Sequence, residues 1–278
     1  MTLPEITLVV GIDAKTVQQL EVSHRTWKRF QPKLYEWQWC VFYDGCSPAF
    51  TPYSLNDLVK RGVVPPQTRF VPWPDCLGLK KREIKYEHQR DRMLAGHVWI
   101  PGLMVETPWS LKIDTDALAL GTSDNWPDPD WFKPDEQGRL PSWICPRWTY
   151  TKGLQALPRI EAWGDSVPEL AKFPRLNIPQ EPDQLRVGHS RMCSWLSFYS
   201  TEFTKRVVRW LRESGHEGTL PYPSQDTLHF YAAARAGDHS RIANMKKHRF
   251  GNFSRLADLI STAQSVMRGE SSEEILDS

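Results

Sequence analysis

Three short apolar runs alternate with two helical patterns in the first 75 residues, and this alternation limits the fold more than any other feature. Residues 6–10 (ITLVV) read as a buried strand, ended by Gly11 and Asp13. Asp13 suits the N-cap of a helix reaching about Phe30, on which Val17, Leu20, His24 and Trp27 share a face. Residues 37–43 (WQWCVFY) form the next strand, stopped by Asp44-Gly45. Ser54-Leu-Asn-Asp57 has the form of a capping box with Asp in the acidic place, and Gly62 closes the short helix it opens. Residues 69–71 make a third strand. Strand and helix in strict turn, with short links, predict an α/β fold with a mostly parallel sheet flanked by helices.

The remaining chain extends this pattern and then departs from it. Residues 81–97 are helical in composition and densely charged, and residues 107–113 form a fourth strand that runs into Asp114-Thr115-Asp116. From residue 121 to about 184, Pro, Trp, Asp and Gly dominate and helical periodicity is scarce. Residues 142–150 read as a strand there. The aromatics are too many for a solvated tether, so this stretch is expected to be an irregular Trp/Pro-rich lobe. Residues 191–199 are strand-like. A helix over 201–213 would bury Phe203, Val207, Trp210 and Leu211. Another covers 224–236 and stops at Gly237, and a last one covers 254–267 with Leu256, Leu259, Ile260 and Ala263 inward. The expected organisation is one domain over 1–267, in halves 1–116 and 117–267, followed by an acidic, flexible tail over 268–278.

Composition excludes several classes. Lys and Arg number 35 against 33 Asp and Glu, a net charge of +2, which argues against a general nucleic-acid binder. No run approaches the ~18 apolar residues of a membrane span. The start has no basic leader, and its apolar run is too short for a signal segment. The five cysteines (Cys40, Cys46, Cys76, Cys145 and Cys193) are odd in number and lack a C-x-x-C, so neither a zinc knuckle nor a disulfide framework is indicated. Reduced thiols in a cytoplasmic protein are the simplest reading. Thirteen tryptophans are an unusual number, and seven fall between Trp99 and Trp163. They form either a Trp-rich core or flat aromatic walls for a ligand.

The chemistry concentrates at Asp114 and Asp116. In extended backbone, residues i and i+2 point to one side, so both carboxylates would stand together at the end of a strand. Open α/β sheets bind ligands at that edge. Two like charges so close call for a cation, and a hard ion with oxygen ligands, Mg²⁺ or Mn²⁺, meets that need. The spacing alone is weak, because 17 Asp in this length give about one D-x-D by chance. A second, Asp128-Pro-Asp130, sits in a Pro-rich loop and reads as a turn. The strand before Asp114 alternates Trp109, Leu111 and Ile113 with Ser110 and Lys112, the pattern of one-sided burial.

With TLVVGID, WCVFYDG, SLKIDTD, SQDTLHFYAAARAG and a late His in that order, the chain resembles the GT-A fold nucleotide-sugar glycosyltransferases over about residues 6–250. The resemblance implies a Rossmann-like nucleotide-binding half over 1–116 and an acceptor half over 117–267. It implies that Asp114 and Asp116, completed by His248, hold Mn²⁺ or Mg²⁺ and the donor diphosphate. Gly11, Asp13, Asp44 and Arg90 fall where the donor nucleotide binds, with Lys85 and Arg92 on the same charged stretch. Asp226 resembles the acid that serves as general base in inverting members, although Gln225 stands where Glu is usual. His189, in Gly188-His189-Ser190, and Trp126, Trp131, Trp143 or Trp148 would then wall an acceptor site. The implied partners are a nucleoside-diphosphate sugar, with UDP favoured by the resemblance, and a glycan or other hydroxyl acceptor.

Two other readings use the same residues. A haloacid-dehalogenase-like phosphatase also places D-x-D after a strand, but here the usual Gly-Thr is missing and the motif lies mid-chain. A non-catalytic carbohydrate-binding protein on a transferase-like fold would use the tryptophans without the carboxylates. A Rossmann dehydrogenase is disfavoured by the lack of a G-x-G-x-x-G after the first strand. An EF-hand is disfavoured by Ala119 at its glycine position.

Overall fold

A computed structural model describes residues 2–45, 47–73, 104–145, 148–149, 157–176, 191–192, 195–216, 225–243 and 248–270. The strands are β1 (Ile6–Ile12), β2 (Gln38–Asp44), β3 (Arg69–Trp73), β4 (Trp109–Ile113), β5 (Ala117–Ala119), β6 (Pro141–Cys145), β7 (Trp148–Thr149), β8 (Arg191–Met192), β9 (Leu196–Ser200), β10 (His239–Ile242) and β11 (Phe250–Asn252). The helices are α1 (Thr16–Phe30), α2 (Pro52–Lys60), α3 (Leu157–Ser166), α4 (Thr201–Glu213), α5 (Gln225–Arg235) and α6 (Leu256–Arg268). Seven strands form one sheet in the order β10-β6-β9-β4-β1-β2-β3. All its strand pairs are parallel except those of β9, which runs antiparallel to both β4 and β6. The mostly parallel α/β expectation therefore holds. The charged stretch over 81–97 and the segment over 271–278 lie outside the described residues.

The sheet is covered on both faces. On one, Leu8, Val10, Trp39, Val41, Leu111, Ile113, Ile144 and Phe198 pack with Leu20 and Trp27 of α1 and with Trp126, Phe132 and Phe250. The other face carries Val9, Cys40, Phe42 and Val71, and farther along Trp143, Cys145 and Tyr199. There the rings of Trp143 and Tyr199 stack at 5.4 Å, and His229 of α5 lies 4.7 Å from Tyr199. Residues Ser110 and Lys112 of β4 are on this second face and are buried. One-sided burial, read from their polarity, is thus corrected: β4 is a central strand buried along its whole length.

Local signals set most element ends. Asp13 receives the backbone N–H groups of Lys15 and Thr16 at 2.8 and 2.7 Å, and this carboxylate opens α1. The capping box of α2 is built by Thr51 with Ser54, not by Ser54 with Asp57, so the helix begins earlier than the motif indicates. Asp128 accepts from the N–H of Asp130 at 2.9 Å and caps a short 3-10 turn, as expected for the second D-x-D. In α6 the inward residues are Leu259, Ala263 and Val266, while Leu256 and Ile260 are exposed, a correction to the predicted face. The helix packs on α1 through only a narrow strip, so a smaller arc is buried than the apolar pattern offers.

Arg235 locks α5 to α3. Its guanidinium, 2% exposed, meets Glu161 at 2.7 Å and Asp165 at 2.7 Å, and Tyr231 donates to the same Glu161 oxygen at 2.6 Å. Gly164 is required here, since a Cβ would lie 2.4 Å from the Tyr231 hydroxyl. Replacing Arg235 by Met leaves Glu161 buried without its cation, and about 3–5 kcal/mol of stability is expected to be lost in urea denaturation.

Candidate active site

The carboxyl ends of β1, β2 and β4 converge on one edge of the sheet, because the three strands are adjacent and parallel. Asp13, Asp44 and Asp114 are the residues that end or follow those strands. Asp44 is 7% exposed. Gly11 is buried, and a Cβ on it would stand 2.2 Å from the Phe42 ring. The ring of a neighbouring strand therefore accounts for the glycine. Asp13 is engaged in opening α1.

The D-x-D is a turn, not the continued pleat that the sequence predicts. The N–H of Ala117 donates to the carbonyl of Asp114 at 3.1 Å, and the N–H of Asp114 still donates to Trp195 on the β9 side at 2.7 Å. Between the two carboxylates, Thr115 points inward and donates to Gln19 at 2.9 Å. Ser23 donates to the carbonyl of Thr115, Trp27 to that of Ala117 at 2.8 Å, and the N–H of Ala119 donates to Thr26 at 3.1 Å. Three side chains of α1 thus hold the backbone over 115–119, and a fourth, Gln19, holds the Thr115 hydroxyl.

Each carboxylate has a distinct partner. Lys112, 3% exposed, places its ammonium 2.6 Å from Asp114 Oδ1. Asn252 of β11 donates to Asp116 Oδ1 at 2.7 Å, and the N–H of Phe253 donates to the Asp116 carbonyl at 3.0 Å. Burial holds the Asp116 carboxyl above its ordinary range, opposed by the hydrogen bond from Asn252 and the charge of Lys112. The donor chemistry is that of two hard carboxylates and fits Mg²⁺ or Mn²⁺ with positions left for a ligand's oxygens. Among the described residues, no group of three His, Cys, Asp or Glu side chains is placed to hold a metal.

His248 is the third ligand that the resemblance implies. Its Nδ1 lies 2.9 Å from Ser123 Oγ, and its ring stands edge-on to Trp131 at 5.0 Å. Trp131 is half-buried. Trp126 is not an acceptor wall: it is fully buried, 4.6 Å from Phe250 and 5.9 Å from Phe198. Trp143 is likewise fully buried. Asp226 falls in the first turn of α5. Its side chain, that of Trp148, and residues Lys85, Arg90, Arg92 and His189 lie outside what the structure describes. A cavity of about 610 Å³ opens beside Arg29, Gly121 and Arg249, and neither carboxylate of the pair lines it.

Sequence reasoning missed Lys112, Asn252, Gln19, Ser23 and Trp195. For Lys112 a signal was present: the i, i+2 rule that joins strand residues on one side also links it to Asp114.

Solved glycosyltransferases share this fold. The mannosyltransferase Ktr4p from S. cerevisiae matches with a TM-score of 0.56 at 10% identity, over 98% of this chain and 83% of its own. Core-mannan synthase A (CmsA/Ktr4) from Aspergillus fumigatus, in its Mn/GDP form, gives 0.52 at 11% identity, over 82% and 69%. The galactosyltransferase LgtC, in complex with donor and acceptor sugar analogs, gives 0.50 at 12% identity, over 93% and 95%. No protein-family model and no curated protein sequence matches the chain. The architecture is that of the GT-A glycosyltransferases, and the likeness is one of fold.

The raised Asp116 makes a prediction with a definite sign. A carboxyl whose folded pKa exceeds its unfolded value costs stability as pH rises through the folded value. Asp116→Asn should therefore melt higher than the unmodified protein near neutral pH. The difference should vanish in acid, where both forms are neutral, and paired thermal melts across pH check it.

Proposed function

We propose that this protein transfers a sugar from a nucleoside-diphosphate sugar to an acceptor hydroxyl. The observation that carries this reading is the Asp114/Asp116 turn, fixed by α1 at the ligand-binding edge of a GT-A sheet. Asp114 and Asp116 are the residues that would hold Mg²⁺ or Mn²⁺. The bound cation would supply Lewis-acid neutralisation of the leaving diphosphate. Asp44, Asp13 and the β1 end near Gly11 border the space for the nucleoside, with Arg90 a further donor contact. Trp131, Trp148 and His189 are the proposed acceptor contacts.

For this chain the donor base is uridine or guanosine. The resemblance favours UDP, while Ktr4p and CmsA have GDP in their structures. A thermal-shift panel of UDP, GDP, ADP and CDP, each with and without Mn²⁺, tests the reading. A ligand that binds only the folded state raises Tm, by about 2.7 kcal/mol of stabilisation at a hundredfold excess over Kd. One nucleotide should raise Tm with Mn²⁺ present and do little with Asp114→Ala. A flat panel overturns the assignment.

Asp226 is the proposed general base, in an inverting transfer. Support comes from topology: α5 leads through Gly237 into β10, which is parallel to β6, so its first turn faces the carboxyl edge. There the helix dipole favours an anion. Asp226→Asn should cut kcat about 10²–10⁴-fold with little change in donor binding. NMR of the product should show the inverted anomer; a retained anomer, or a normal rate in the variant, removes Asp226 from this role.

The tryptophans lend less to the carbohydrate-binding alternative than their number promised. Trp27, Trp39, Trp126, Trp143 and Trp210 are among the largest fully buried side chains.

A further inference from the structure

Lys112 is an unusual residue for its position. It lies on the central strand of the sheet, opposite Val9 on β1 and Ser197 on β9, and is 3% exposed. A buried ammonium is costly unless it is paired, and this one is paired with Asp114 at 2.6 Å. Asp114 itself keeps a third of its side chain exposed, so it remains available to a ligand. Asp116, beyond the turn, also lies within reach of the Lys112 charge. The three groups together carry one net negative charge where the two carboxylates alone would carry two.

We propose that Lys112 is a resident counter-ion that weakens the carboxylate pair for a free divalent cation, so that the cation is held firmly only together with a nucleoside diphosphate. The inference rests on the glycosyl-transfer reading of the site. Attraction between the site and a doubly charged ion scales with the site's net charge, so halving that charge weakens capture of the ion alone. A diphosphate restores negative charge on the open side and supplies oxygen ligands. Lys112 acts here through Asp114 and is a positioning residue.

The test is Mn²⁺ alone, titrated by calorimetry and by the EPR signal of free Mn²⁺, into the unmodified protein and into Lys112→Met and Lys112→Gln. Two neutral side chains are used because either could disturb the core, and circular dichroism confirms which are folded. The variants should bind Mn²⁺ at least about tenfold tighter than the unmodified protein. Lys112→Arg, which keeps the charge, should stay weak. For the unmodified protein, adding UDP or GDP should tighten Mn²⁺ binding by at least about tenfold. Equal Mn²⁺ affinity within about twofold in the folded variants overturns the proposal, as does tight binding of Mn²⁺ alone by the unmodified protein. A protein that binds no nucleoside diphosphate under any condition defeats the glycosyl-transfer reading instead, and the Mn²⁺-alone comparison still decides the role of Lys112.

Discussion

A central strand buried on both faces has no solvent to carry its polar side chains, and that constraint organises this molecule around one ion pair. β4 has helices and loops over one face and β-strand aromatics with α4 and α5 beside the other. On such a strand the buried Lys112 ammonium is met by the Asp114 carboxylate at 2.6 Å. The pair also ties the strand's packing to its chemistry. Asp114 is at once a partner of a buried lysine and, in the proposed function, the first of the two carboxylates that would hold the cation.

The turn is held from a second direction by α1. Gln19, Ser23, Thr26 and Trp27 recur at helical spacing along one face, and each contacts the segment over 115–119. Such a face is buried yet polar, so it forms hydrogen bonds instead of packing alone. Rigid support of this kind keeps carboxylates from following a ligand's charge by moving, which is the condition for electrostatic preorganisation. Asn252 supplies the last support, from a strand that reaches β5 as its antiparallel neighbour.

Most of the sheet was legible because each of β1, β2 and β4 is an apolar run ended by Asp, and each helix between them has a cap or a glycine stop. The short β5/β11 ribbon was not legible. Its strands have three residues each and lie more than a hundred residues apart, so no local pattern marks them. For the site, the location of Asp114 and Asp116 was readable from their place after a strand, but their conformation was not. A turn and a pleat demand the same residue types here, and only the bond from Ala117 to Asp114 separates them. Polarity misled at Lys112, since a lysine in a strand usually marks the solvent face. It misled at Trp126 in the opposite way, because Asp and Pro neighbours concealed a ring that lies among Trp37, Phe198 and Phe250.

Asp116 shows what the arrangement costs. Asp114 has a cation of its own, whereas the nearest neutralisation of Asp116 is a neutral amide and a more distant lysine charge. Burial therefore leaves Asp116 the less satisfied of the two, and a hydrogen bond from Asn252 only partly offsets the desolvation. A fold selected for stability alone would place Asn or Ser at this position. In the proposed function, a poorly compensated carboxylate beside a partly compensated one leaves negative charge to be met by a cation that both would hold. In that reading the asymmetry between the two carboxylates, more than their number, is what the pair would offer a charged ligand.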